Sequence, residues 1–123
     1  MKLPLIPALI ILLLTACQSD ADKLVFSGEG SAFIQGGLLC IGGTDKSDVL
    51  SYYYLEELHR GSNKSLLGSG YHPVKITYPD TCFTVSLKSG VRYGILYIMN
   101  DIKYRFKFDV TANGTIAKVQ RGS

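Results

Sequence analysis

The chain has 123 residues, 46% of them hydrophobic, and 13 basic side chains against 10 acidic ones for a net charge of +3. That length makes one small domain with a modest core. The charge is too slight to argue for nucleic acid or an acidic lipid surface as a partner.

The chain opens with Lys2 and an apolar run from Leu3 to Leu14. A bilayer span needs roughly 20 apolar residues, so a run this short reads as a secretory signal peptide. Small residues, Thr15 and Ala16, close it. Leu14-Thr15-Ala16-Cys17 resembles the lipobox of bacterial lipoproteins. In that family the cysteine thiol is joined to diacylglycerol, the chain is cut just before it, and the new amine is acylated. The resemblance implies a signal peptide over 1–16, a lipid anchor at Cys17, a polar tether over 17–23 and a folded domain over 24–123. The alternative is an ordinary secreted protein with Cys17 a spare thiol. Several acyl chains on one residue hold firmly to a membrane, because each buried methylene contributes about 0.8 kcal/mol. In the enterobacterial sorting pattern that this segment resembles, Asp after the cysteine retains a protein in the inner membrane. Gln18 therefore implies the periplasmic face of the outer membrane. Cleavage would remove one charge, Lys2, and lower the net charge from +3 to about +2.

Cys40 and Cys82 remain. An even pair in an oxidising compartment is most simply a disulfide.

The rest reads as strands separated by Gly, Ser, Asn and Asp turns. Leu24-Val25-Phe26 is a short first strand, and Ala32 to Ile41 a second, with Gly36-Gly37 as a bulge or kink. Asp48 to Leu58 fits two periods. Leu50, Tyr54 and Leu58 would line a helix face, whereas the run Tyr52-Tyr53-Tyr54 favours a strand. Strand is the reading adopted. Arg60 to Gly70 is a loop with a short edge strand at Leu66-Leu67, and Val74 to Tyr78 a short strand between prolines. Thr81 to Leu87 alternates as a half-buried strand, and Val91 to Met99 is apolar enough to be central. Asn100-Asp101 is a tight hairpin. Ile102 to Val110 then alternates, apolar Ile102, Tyr104, Phe106, Phe108 and Val110 against Lys103, Arg105, Lys107 and Asp109. Asn113-Gly114 turns the chain into a last strand from Thr115 to Val119.

Seven to eight short strands in one small domain imply an all-β fold, a small antiparallel β-sandwich. Leu87 to Tyr97 resembles the E–F corner of immunoglobulin-like and fibronectin-type sandwiches. That resemblance makes Tyr93 the corner tyrosine, bonded back to the backbone. It places Cys40 on strand B and Cys82 on strand E of one sheet, unlike the antibody bridge across the core.

Little in the chain suggests catalysis. His59 and His72 lie near no nucleophile motif and read as surface or loop residues. With Cys40 and Cys82 they could make a Cys2His2 metal site, but no C-x-x-C or H-x-x-x-H pair is present and the disulfide is preferred. Glu56 and Glu57 point to opposite faces of a strand, so they cannot work on one bond. Gly28-Glu29-Gly30 and Gly68-Ser69-Gly70 read as turns rather than phosphate loops. No metal, cofactor or enzymatic activity is expected. Two features suit a protein partner. Lys103, Arg105 and Lys107 form a basic stripe, either a solvated face that protects an edge or a contact for an acidic partner. Among Tyr52, Tyr53 and Tyr54, alternation sends at least one ring away from the core. Such a ring stiffens an outer sheet face or anchors an interface.

Lipobox, tether, K-L-V-F-S, a strand ending L-C-I, a polar middle, D-T-C-F-T-V-S-L and G-V-R-Y-G-I-L-Y follow in that order. The layout resembles small enterobacterial lipoproteins described as periplasmic immunity proteins of type VI secretion systems. The resemblance implies binding to a cognate effector toxin in the periplasm, and carries over no binding residues. The tail from Thr111 to Ser123 departs from it by adding a hairpin. The alternatives are a structural lipoprotein of the envelope or secretion apparatus, and an inhibitor of an envelope hydrolase.

Overall fold

The computed structural model describes residues 26–119. The expected signal peptide over 1–16, the expected lipid anchor Cys17, the expected tether and Leu24-Val25 of the expected first strand lie outside them. Nine strands are present among the described residues: β1 Gly28–Glu29, β2 Ala32–Gln35, β3 Leu38–Ile41, β4 Leu50–Glu57, β5 Lys64–Gly68, β6 Cys82–Phe83, β7 Arg92–Met99, β8 Ile102–Val110 and β9 Ile116–Lys118. They form two sheets. The larger runs β1-β8-β7-β4-β5, with β9 also on β8, and the smaller runs β2-β3-β6. The fold is the small all-β sandwich expected. Taking β2, β3 and β6 as strands A, B and E puts β4, β7 and β8 at C, F and G, the partition of immunoglobulin-like sandwiches.

The count exceeds seven to eight for a local reason. Gly36 and Gly37 both have positive φ, 59° and 80°, which a type I′ turn needs. They fold Ala32 to Ile41 into the hairpin β2–β3 with Phe33 opposite Cys40, where a single kinked strand was expected. Gly28-Glu29, expected as part of a turn, instead pairs in parallel with Tyr104 and Arg105 of β8. Phe26, expected inside a strand, lies just before β1 with its ring 6.0 Å from that of Tyr52. Val74 to Tyr78 is reduced to a bridge between Ile76 and Leu50 and a hydrogen bond from the Val74 N–H to Ser51 O at 3.0 Å. Only Cys82 and Phe83 of the expected strand Thr81 to Leu87 pair. Beyond them, alternate residues Val85 and Leu87 still turn to the core.

The core lies between the sheets. Leu39 and Ile41 of β3 meet Leu50 and Leu55 of β4, Tyr93, Ile95, Tyr97 and Met99 of β7, and Phe106, Phe108 and Val110 of β8. Aromatic contacts tie β7 to β8. Tyr93 lies 5.4 Å from Phe108, and Tyr97 lies 5.1 Å from Tyr104. Asn100 and Asp101, with φ of 54° and 65°, make the tight turn between these strands.

Cys40 and Cys82 are bonded, as expected, and sit opposite each other on β3 and β6. The bridge lies within one sheet. The Lys88 N–H donates to Tyr93 Oη at 2.7 Å across the expected corner, and Tyr93 is wholly buried.

Candidate partner-binding face

The faces of β4 are set by a bulge. Leu50 pairs with Met99, but Tyr52, two residues on, pairs with Ile98, one residue back. The extra residue, Ser51, lets Leu50 enter the core while the strand beyond it reverses its facing. Tyr53 then points inward, its ring 4.5 Å from Phe83 of the opposite sheet. Tyr52 and Tyr54 point outward. Of the three tyrosines, Tyr53 therefore leaves the candidate surface and joins the packing between the sheets.

Register carries the outward residues into rows across three strands. Tyr52 aligns with Ile98 and Lys103, Tyr54 with Leu96 and Arg105, and Glu56 with Gly94 and Lys107. The two candidate groups, tyrosines and basic stripe, thus share the outer face of the larger sheet. The aliphatic side chains of Leu96 and Ile98 lie between them. The next row ends the stripe. Arg92 donates to Asp109 through Nε at 2.8 Å and Nη2 at 3.1 Å. Those bonds hold the Asp109 carboxyl below its ordinary range and raise the Arg92 guanidinium. Among the described residues the other ion pairs are Glu57 with His59 and Lys118 with Glu29. Lys103, Arg105 and Lys107 take part in none of the three.

β8 is not a bare edge, because β1 covers it at Tyr104–Arg105 and β9 at Phe108–Val110.

Two hollows interrupt this face. One, about 240 Å³, has Gly94 in its floor, with Tyr54, Leu58, Leu96, Arg105 and Lys107 around it. A Cβ placed on Gly94 would lie 3.5 Å from Leu58 Cδ2. The missing side chain makes the notch. The other, about 190 Å³, lies between Tyr52 and Ile98 and the loop carrying Tyr71 and His72. The Tyr71 ring is fully exposed. Gly94, Leu96, Ile98 and Tyr71 were not singled out from the sequence. A glycine inside the apolar run Val91 to Met99 was the available signal.

The remaining candidates lie elsewhere. His59 Nε2 is 2.6 Å from Glu57 Oε1, and Glu57 is buried, whereas Glu56 faces outward and accepts from Asn63 Nδ2 at 3.1 Å. The two carboxylates are on opposite faces. His72 is exposed in the Tyr71 loop. Gly68-Ser69-Gly70 is no open anion cradle, since Ser69 N donates to Tyr53 O at 3.0 Å and Ser69 Oγ accepts from Tyr53 N at 3.0 Å. Among the described residues no group of three or more His, Cys, Asp or Glu side chains is placed to hold a metal ion.

No family model, curated protein or solved structure matches this chain.

Proposed function

We propose that this protein is a lipid-anchored periplasmic immunity protein that binds and neutralises a cognate type VI secretion effector. The observation that carries the binding role is the shared row: Tyr54, Leu96 and Arg105 lie side by side on the outer face of the larger sheet. Tyrosine and arginine are among the residues most enriched at interface hot spots, because they bring large contact area and directed hydrogen bonds. Aliphatic side chains between them supply apolar area. The lipobox resemblance at Cys17 supports attachment to the membrane, and tethering raises the local concentration of a binder where an effector arrives. The Cys40–Cys82 bridge fits an oxidising compartment.

The test is co-expression of the full-length protein with the product of the adjacent gene, directed to the periplasm. Survival and co-purification are both scored. Rescue with a stable complex supports immunity. A neighbour that is harmless alone, or that kills regardless and does not co-purify, removes it and leaves a structural envelope lipoprotein as the better account.

A further inference from the structure

We infer that the Gly94 notch receives one apolar side chain, of leucine to phenylalanine size, from a partner segment that carries carboxylates beside it. This inference rests on reading the outer face as the binding surface, and names the chemistry that surface selects.

Three observations converge. The notch holds about 240 Å³, below the range of roughly 300–1,000 Å³ typical of small-molecule sites. That is room for a single side chain, and Tyr54, Leu58 and Leu96 give it apolar walls. Its opposite rim is cationic. Arg105 and Lys107 border the notch, and Lys103 continues the line. Alternate residues of a strand stand about 6.8 Å apart, so the three cations repeat at the spacing of alternate side chains in an extended acidic segment. The third observation sets polarity. Glu56 borders the notch from β4, opposite Lys107, with Oε1 accepting from Asn63. It repels carboxylates from that side; beyond β8 the neighbouring Glu29, in register with Arg105, is engaged by Lys118 at 3.4 Å, so the cationic line is left as their place. An apolar anchor in a pocket, rimmed by charges that fix its register, is the usual form of an interface hot spot.

The test uses the full-length protein in detergent micelles and three fluorescent peptides, with empty micelles as blank. The peptides are Glu-Asp-Leu-Asp-Glu, its neutral version Gln-Asn-Leu-Asn-Gln, and its anchorless version Glu-Asp-Gly-Asp-Glu. Anisotropy should rise most for the first, with at least fivefold weaker binding of the other two. Raising the salt should weaken the first and leave the neutral peptide unchanged. Gly94→Val fills the notch from a position where a Cβ meets Leu58 at ordinary contact distance, so the fold should persist by thermal melting while the preference for leucine disappears. Arg105→Gln with Lys107→Gln should instead abolish the preference for acidic flanks. No binding of the first peptide, or equal binding of the leucine and glycine peptides, overturns the inference. Because no effector is used, the result is separable from the immunity test: a harmless neighbouring gene product would defeat immunity and leave the peptide selectivity to be read by itself.

Discussion

The Tyr93 hydroxyl accepts the backbone N–H of Lys88, five residues earlier, from a ring that is wholly buried between the sheets. The bond ties the turn at Lys88-Ser89-Gly90 to the start of β7. Tyr93→Phe keeps the ring and strands the N–H. Such a change should cost about 1–3 kcal/mol. Denaturant unfolding checks it, and an unchanged midpoint would show that the corner contributes nothing.

The disulfide closes 42 residues of sequence. On chain-entropy grounds, replacing both Cys40 and Cys82 with alanine should lower stability by about 4 kcal/mol. The loss should show in equilibrium unfolding, and wild type under strong reductant should behave like the double variant.

Gly30 lies against Tyr97. A Cβ there would sit 2.7 Å from Tyr97 Cε1 and 2.9 Å from its Oη. The tyrosine is buried and its hydroxyl accepts the Ser31 N–H at 2.9 Å, so it has little room to retreat. Gly30→Ala should therefore cost about 1–3 kcal/mol. A variant as stable as wild type would mean that β1 can shift freely on β8.

Asp109 and Tyr97 give stability a pH dependence of opposite sense, and Asp45, its pKa lowered by hydrogen bonds from Ser47, acts in the same sense as Asp109. Hydrogen bonds from Arg92 lower the Asp109 pKa below its ordinary 3.8. Its stabilising effect is complete above that value and is lost as pH falls through the lowered one. Burial raises the Tyr97 pKa above its ordinary 10.0. Its contribution is complete below pH 10.0 and is lost as pH rises through the raised value. Asp109→Asn should flatten the acid limb of a stability–pH profile while leaving the alkaline limb intact. The acid effect is small because both partners of the pair are exposed to solvent.

Charge reversal at Arg105 tests the outer face directly. Arg105→Glu places a carboxylate in the cationic line between Lys103 and Lys107, where it should weaken partner binding by tenfold or more. The side chain is exposed, so folding stability should stay within about 0.5 kcal/mol of wild type. Equal loss of stability and binding would point to a structural role instead.

Much of the fold was legible because it is local. Ile102 to Val110 alternates so regularly that its facing could be assigned from the sequence, and Asn100-Asp101 and Asn113-Gly114 marked their turns. What escaped was pairing. Gly36-Gly37 is compatible with a bulge or a hairpin, and only the match of Phe33 to Cys40 decides between them. The Ser51 bulge is likewise invisible in one strand, yet it determines which tyrosines face outward. The candidate site was legible only in pieces. Tyr54 and Arg105 are 51 positions apart, and their common row depends on the register of β4, β7 and β8 together.

The first described residues fasten both layers of the sandwich. Phe26 reaches Tyr52, β1 pairs with β8, and the Gly30 N–H donates to Arg105 O before the chain crosses into β2 on the other sheet. A pull applied at Phe26 therefore meets the larger sheet first and reaches the smaller one only through β2. The outer face is built on the same β8 strand that β1 grips, so the course of the chain from Phe26 onward and the row of Tyr54, Leu96 and Arg105 are held in one sheet.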